Sequence, residues 1–132
     1  MKAIIYGYIS AALCMLVLDV IWLSTMTRIL YKPYLNELLS DGFRVAPAAL
    51  YYLLYLAGIV FFAVHPACEK ASLSTALLNG AVLGIVAYGT YDLTNQATLK
   101  VWPVNVTIAD MIGGTFLTAV SAGAGYMGAR SV

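Results

Sequence analysis

Charge is what this chain of 132 residues has least of: charged side chains make up 10% of it, against roughly 25% in an ordinary soluble domain. The net charge is only +1, so no basic field attracts nucleic acid, and nucleic-acid binding is excluded. The two cysteines, Cys14 and Cys68, do not form a disulfide framework. No Gly-rich phosphate loop with its lysine is present. These absences exclude a disulfide-rich protein and a nucleotide-binding one of the common kind.

Apolar residues are what the chain has most of. They make up 62% of the sequence, and the mean hydropathy is +0.87. Four apolar runs approach or exceed the length needed to cross the ~30 Å hydrocarbon core of a bilayer, at about residues 3–30, 47–64, 72–99 and 104–127. The sequence therefore predicts an all-α membrane protein. A single domain, residues 1–132, is expected to form a bundle of four transmembrane helices with antiparallel neighbours.

Prolines and charged residues mark the ends of these runs. Lys32-Pro33 is expected to end the first run, Pro47 to open the second and His65-Pro66 to close it. The polar connection at residues 34–44 carries leucines that predict a short helix on the membrane surface.

Four spans place both termini on one side of the membrane, called side A, and the first and third loops on the other, called side B. Side B carries four basic residues and side A carries three: Arg28, Lys32, Arg44 and Lys100 against Lys2, Lys70 and Arg130. Because basic residues are enriched in cytoplasmic loops, this count favours side B as the cytoplasmic side.

Three of the apolar runs each contain one aspartate, although an acid at the centre of a span costs roughly 2.5–3.5 kcal/mol. Counted from the side-B ends of their runs, the acids lie seven to nine residues deep, which is roughly 10–14 Å at 1.5 Å per residue. Three acids at one depth are expected to converge inside the bundle: Asp19, Asp92 and Asp110.

Small residues at every fourth position predict how the third and fourth helices pack. On the third run, Tyr88 and Asp92 continue the series Ala76, Gly80 and Gly84. On the fourth run, Asp110 is followed at the same spacing by Gly114, Thr118 and Ala122. Close packing of these two ridges is expected to bring Asp92 beside Asp110. Two carboxylates a few ångströms apart in a low dielectric cannot both be ionised unless a cation joins them. The cluster therefore suits a proton, a metal cation, or a cationic or hydroxylated ligand.

Other polar side chains are expected at the same depth as the acids. They are the Trp22 indole, the Asn95 amide and the hydroxyls of Tyr51, Tyr55, Tyr88 and Tyr91. His65, the only histidine, lies towards side A, so histidine-based chemistry at the cluster is excluded unless another chain supplies it. The residues define no cofactor, no metal ligand set and no nucleophile–base pair, and whether the protein is an enzyme stays open.

Three interpretations of the cluster follow. The first is a binding or transport module that holds a proton, a cation or a small polar ligand. Such a module needs a second copy of the chain, because four spans are few to enclose a path. The second is an accessory or catalytic component of membrane-lipid modification, with its carboxylates directed at a headgroup or at a cofactor of a membrane-enzyme partner. The third is a structural polar network that only holds the four helices in register.

Several short motifs occur in a recognisable order along the chain: Leu18-Asp19 with Trp22, Pro47-Ala48 with Tyr51-Tyr52 and Tyr55, Ala87 through Asn95, Ala97 through Leu99, Trp102-Pro103 and Asp110. With these motifs the chain resembles a family of small bacterial membrane proteins, domain of unknown function 2177. The resemblance implies a multi-pass protein of the bacterial inner membrane, with the lipid bilayer as its surroundings. It brings no established activity, although members are sometimes encoded near lipid-modifying enzymes.

Overall fold

The computed structural model describes residues 1–35 and 44–132, and four long helices account for almost all of them. Helix α1 comprises Lys2–Met26, Thr27–Tyr31 and Lys32–Leu35. Helix α2 comprises Val45–Ile59, Val60–Val64 and His65–Lys70. Helix α3 is Leu73–Thr98, and helix α4 is Val104–Arg130. All four helices are long and apolar enough to cross a membrane, and the described ranges contain no strand. The predicted all-α bundle of four spans is confirmed. The surface helix predicted at residues 34–44 falls mostly at 36–43, outside the described residues.

Helix α4 is the centre of the bundle, because α1 and α3 both pack along its length. Its buried face consists largely of small residues, which let the neighbouring backbones come close: Gly114, Thr118, Ser121, Ala122, Gly125 and Ala129. Many large apolar side chains are instead exposed on the outer faces of the helices, where lipid surrounds a membrane protein. Close backbone packing, more than burial of large side chains, therefore holds these helices together.

The contacts between α3 and α4 follow the two predicted ridges. A Cβ atom added to Gly80 would lie 2.8 Å from the Cβ of Ala122, and one added to Gly84 would lie 2.7 Å from the carbonyl oxygen of Gly114. Further along α3, the Tyr88 ring lies over Gly114. Residue numbers rise on α3 as those of their partners fall on α4, so the two helices run in opposite directions. The prediction that these ridges pack together is confirmed.

We expect Gly84→Ala to destabilise the bundle by about 1–3 kcal/mol, because the added methyl group would collide with the backbone of α4. Gly58 on α2 provides the matched control, since no atom lies within 4 Å of an added Cβ there. Gly58→Ala should leave stability unchanged or raise it slightly. Thermal unfolding in detergent measures both variants. Equal melting temperatures would contradict the close approach of α3 to α4.

Helix α1 packs on another face of α4, again in the opposite direction. Gly7 lies against Gly125 near side A, and the Trp22 ring lies against Gly113 towards side B. A side chain at Gly113 would collide with the indole of Trp22, whereas one at Gly7 would be a tight fit against the Gly125 carbonyl oxygen (3.2 Å). The absence of a side chain at Gly113 is what makes room for the indole of Trp22.

Helix α2 diverges from α3 towards side B. It contacts α3 through Val60–Val64 and His65–Lys70, whereas Val45–Ile59 makes almost no close backbone contact with α3. The side-A ends are tied by a two-residue turn. Ala71 ends α2 in the left-handed conformation (φ 49°), and Ser72 Oγ accepts a hydrogen bond from the Thr75 N–H at the start of α3 (3.2 Å). The cleft between α2 and α3 is therefore closed at side A and widens towards side B.

Two stretches of π-helix, Thr27–Tyr31 and Val60–Val64, each end two residues before a proline. Pro33 and Pro66 have no N–H, and their rings crowd the carbonyl group four residues earlier, so a regular α turn is unfavourable there. A π turn, whose hydrogen bonds reach five residues back, accommodates the ring without ending the helix. Both helices continue past their prolines: the helix that His65-Pro66 was expected to close reaches Lys70, whereas the first candidate span itself ends at Tyr31, before Lys32-Pro33.

The carbonyl group that Pro66 leaves without a helical partner belongs to Phe62. The side-chain amide of Asn79 on α3 donates a hydrogen bond to it (3.0 Å). A backbone acceptor in the apolar part of a membrane needs such a donor, since no water is available there. The same hydrogen bond ties α2 to α3 below the point where the cleft opens.

Candidate functional site

Two carboxyl groups meet between α3 and α4, towards side B. Asp92 ends the small-residue ridge of α3 and Asp110 begins that of α4, so the close packing of these helices brings both acids to one level. Asp92 is completely buried, Asp110 is 8% exposed, and their carboxyl groups interact directly. We call these two residues the acid pair.

Tyr31, near the side-B end of α1, supports one member of the acid pair. Its hydroxyl donates a hydrogen bond to Oδ1 of Asp110 and accepts one from the indole nitrogen of Trp22 (2.9 Å). Indole, phenol and carboxyl group thus form one chain of hydrogen bonds from α1 to α4. Such a chain orients the Asp110 carboxyl group and leaves its other oxygen facing away from Tyr31.

Asp92 has no comparable support. Neither of its carboxyl oxygens has a hydrogen-bond partner within residues 1–35 and 44–132, although the side chain is completely buried. Its neighbour is the Asp110 carboxyl group, which donates a hydrogen bond only when it carries a proton. A buried carboxylate without donors is strongly disfavoured beside a second carboxylate. The arrangement is therefore suited to hold a proton or to accept a cation between the two groups.

A cavity of about 470 Å³ lies in the cleft between α2 and α3. Four tyrosines and one alanine line it: Tyr51, Tyr55, Ala87, Tyr88 and Tyr91. The rings of Tyr51 and Tyr55 stack at 5.7 Å, and the ring of Tyr88 meets that of Tyr55 edge-on at 6.1 Å. The hydroxyl oxygens of Tyr51 and Tyr88 are 3.2 Å apart, within hydrogen-bonding distance. We call this space the tyrosine cavity.

Asp19 is placed with the tyrosines and not within the acid pair. It is partly buried on α1 and lines a second cavity of about 260 Å³ between α1 and α4. Tyr88 lines both cavities, so its ring is the wall between Asp19 and the tyrosine cavity. The Asp19 carboxyl group acts electrostatically on Tyr51, Tyr55 and Tyr88, whereas Asp110 is the acid that acts on Asp92.

The nine predicted site residues therefore form two groups. The first contains Asp92 and Asp110, with Trp22 connected to them through Tyr31. The second contains the four tyrosines that line the tyrosine cavity, with Asp19 behind the Tyr88 ring: Tyr51, Tyr55, Tyr88, Tyr91 and Asp19. Asn95 interacts with Tyr91, on which Asp92 and Asp110 also act electrostatically. Of the three acids that were expected to converge, Asp92 and Asp110 lie together, whereas Asp19 faces the tyrosines from α1.

Tyr31 is the residue at the site that sequence reasoning missed. Nine residues separate it from Trp22, and at roughly 100° per residue a regular α-helix would place the two on opposite faces. The π turn at Thr27–Tyr31 holds one residue more than an α turn, which sets Tyr31 back by roughly 100° towards the face of Trp22. Pro33, two residues later, is the sequence signal from which this shift could have been found.

Thr118 is a second residue at the site for which the sequence pattern predicted only a packing role. Its hydroxyl lies 2.7 Å from that of Tyr55, within hydrogen-bonding distance. This contact joins the central helix α4 to α2 at the base of the tyrosine cavity. It therefore holds the Tyr55 ring in position for the stacking with Tyr51.

Metal-ligand geometry is not seen in the described part of the chain. Residues 1–35 and 44–132 contain no group of three or more His, Cys, Asp or Glu side chains arranged to bind a metal ion. His65 contacts Glu69 at an exposed site near side A (3.6 Å), away from the acid pair. A cation at the acid pair would meet two carboxyl groups, those of Asp92 and Asp110.

Fold and site together define a polytopic membrane protein with four candidate spans and an acid pair buried between the third and fourth. The chain belongs to the family described as Predicted membrane protein (DUF2177), whose family model matches residues 4–127. The resemblance found in the sequence motifs is thereby confirmed. No curated protein and no solved structure matches the chain.

Proposed function

We propose that the acid pair binds an exchangeable proton or a cation, and that the protein is a binding or transport module of the bacterial inner membrane. The observation that carries this proposal is Asp92, which is completely buried, has no donor in the described part of the chain and faces a second acid. A carboxyl group kept for structure alone is normally satisfied by hydrogen bonds. Intramembrane acids of this kind are most often parts of proton or ion pathways.

The infrared spectrum of the purified protein tests this proposal, because a protonated carboxyl group and a carboxylate absorb at different frequencies. We expect the wild type to show one protonated-carboxyl band that disappears as pH is raised or as a cation is added. The band should be absent from Asp92→Asn, and in Asp110→Asn it should no longer respond to a cation, since the buried Asp92 stays protonated there but has lost its partner acid. A band that neither pH nor a cation changes would instead support a purely structural network.

Transport by this chain requires more than one copy. Helix α4 occupies the centre of the bundle, and its packing with α1 and α3 leaves the acid pair enclosed between helices. A path from one side of the membrane to the other would therefore have to run along an interface between two copies. Chemical cross-linking in native membranes tests this, and a chain that is monomeric there would restrict the protein to binding.

We propose further that side B is cytoplasmic, on the basis of the four-to-three count of basic residues. The native Cys68 is exposed near the side-A end of α2 and makes a labelling site. An impermeant thiol reagent added to intact cells should label the wild type and should not label Cys68→Ala. A cysteine at Lys100, placed in the Cys68→Ala background, should stay unlabelled. Labelling of Lys100→Cys from outside would reverse the orientation.

A component of membrane-lipid modification is the second candidate function. The cleft between α2 and α3 favours it, because the cleft widens towards side B and half-exposed tyrosines stand at its opening. An acyl chain could enter there and reach the tyrosine cavity, with a membrane enzyme as the partner. Binding of an uncharged amphiphile in this cavity, in preference to a charged one, would favour this candidate over the first.

A further inference from the structure

The tyrosine cavity is a second site beside the acid pair, and α3 contributes residues to both. It lies between α2 and α3, whereas the acid pair lies between α3 and α4. Its volume of about 470 Å³ falls in the range of small-molecule sites, and its apolar walls with a few hydroxyl groups match their usual lining. We propose that the tyrosine cavity binds a lipophilic organic cation, such as an alkylammonium compound. This goes beyond the proposed role of the acid pair.

The lining of the cavity is aromatic. Four phenol rings surround one space, and among the described residues that line it Ala87 alone is small and aliphatic. Cations without strong hydration, quaternary ammonium groups above all, bind to the electron-rich faces of such rings. An inorganic cation is a poorer occupant, because the tyrosine hydroxyls of Tyr51 and Tyr88 are already close enough to bond to each other. The lining therefore favours an organic cation.

The charge beside the cavity is negative. The Asp19 carboxyl group stands behind the Tyr88 ring and acts electrostatically on three of the four tyrosines, and the acid pair acts on the fourth, Tyr91. Among the residues that the structure describes, no lysine or arginine lines either this cavity or the one that contains Asp19. The potential in the cavity is therefore negative whenever Asp19 is ionised, which disfavours a phosphate or carboxylate headgroup and favours a cation.

The cavity is accessible from the bilayer. Tyr51 and Tyr91 are 48% and 57% exposed, so the cavity is open at the side of the bundle. On α2, Leu50 and Leu54 directly precede the lining residues Tyr51 and Tyr55 and have 68% and 71% of their surface exposed. The apolar tail of an amphiphile can follow these leucines while its cationic end occupies the cavity. A lipophilic cation would reach the site through the membrane and not through water.

Binding of radiolabelled dodecyltrimethylammonium to the purified protein in dodecyl maltoside, with empty micelles as background, tests the proposal. We expect saturable binding that unlabelled dodecyltrimethylammonium displaces and dodecanol does not. Ala87→Leu fills the cavity and should weaken binding at least tenfold. Ala97→Leu is the matched control, because Ala97 is exposed on the same helix and does not line the cavity. It should bind within about twofold of the wild type.

Asp19→Asn separates the charge from the shape of the site, and we expect it to weaken binding of the cation roughly tenfold. Tyr51→Phe keeps the ring and should change binding by no more than about threefold. If dodecanol displaces the radiolabelled cation as effectively as unlabelled dodecyltrimethylammonium does, the proposal is overturned and a site for an uncharged lipid is favoured. The proposal would also be overturned if Ala87→Leu folds and binds the cation as tightly as the wild type. If Ala87→Leu does not fold, binding of the cation by Asp19→Asn with wild-type affinity would overturn the proposal.

Discussion

Asp92→Asn is expected to leave the protein folded, with a melting temperature in detergent equal to or above that of the wild type, while it abolishes function. The amide keeps the shape of the side chain and brings an N–H group that can donate a hydrogen bond to Asp110, which the carboxylate does not have. It removes the ionisable group on which binding of a proton or cation depends. We expect a change in the free energy of unfolding within about 1 kcal/mol.

The functional half of this prediction is measured as growth or uptake in cells that lack the native gene and carry the variant. Glu69→Gln is the matched control, because Glu69 is an exposed acid outside both the acid pair and the tyrosine cavity, and it should leave growth and uptake unchanged. Normal stability together with a normal phenotype for Asp92→Asn would refute a proton or cation role for Asp92.

Asp92→Leu is expected to lower stability for a different reason in the structure than the sequence suggests. Sequence reasoning predicts that leucine at this position leaves hydrogen-bond partners unsatisfied. No donor from outside the acid pair contacts Asp92 among residues 1–35 and 44–132, so in this part of the chain leucine would leave only the Asp110 carboxyl group without its neighbour. Its cost should come from the extra volume in a completely buried place, at about 1–3 kcal/mol. A smaller substitution, Asp92→Ala, should therefore be tolerated better than leucine.

Tyr31→Phe, unlike Asp92→Asn, is expected to lower the free energy of unfolding, by about 1–3 kcal/mol. Its hydroxyl is the partner of both the Trp22 indole nitrogen and Asp110, and phenylalanine would leave both groups without that partner. Tyr6→Phe is the matched control, since Tyr6 is 48% exposed on the outside of α1 and should tolerate the change. Thermal unfolding in detergent compares the two, and equal melting temperatures would contradict a structural role for the Tyr31 hydroxyl.

Pro33→Ala tests why Tyr31 lies where it does. Restoring an N–H at position 33 allows a regular α turn, which would rotate Tyr31 by roughly 100° away from Asp110. We expect Pro33→Ala to cost about as much as Tyr31→Phe, and the double variant to cost little more than either. Pro47→Ala should be neutral, because a proline in the first turn of α2 replaces no helical hydrogen bond. Additive costs in the double variant would indicate that the π turn and Tyr31 act independently.

The sequence by itself determined the class of the protein and half of its site. Four long apolar runs with few charges leave only membrane-spanning helices, because in lipid every backbone group has to be satisfied within the segment. Small residues at every fourth position identified which faces of α3 and α4 meet, and hence that Asp92 lies beside Asp110. Both inferences rest on regular helical periodicity, which α3 and α4 follow along their length.

Only the tertiary structure decided the rest. The π turns before Pro33 and Pro66 shift the register of α1 and α2, so periodicity places Tyr31 on the wrong face. The hydrogen bond from Tyr31 joins it to a residue 79 positions away, a distance at which no local pattern operates. Depth along a helix, moreover, does not define the direction of a side chain around it. For that reason Asp19 shares the level of the acid pair and yet faces the tyrosines.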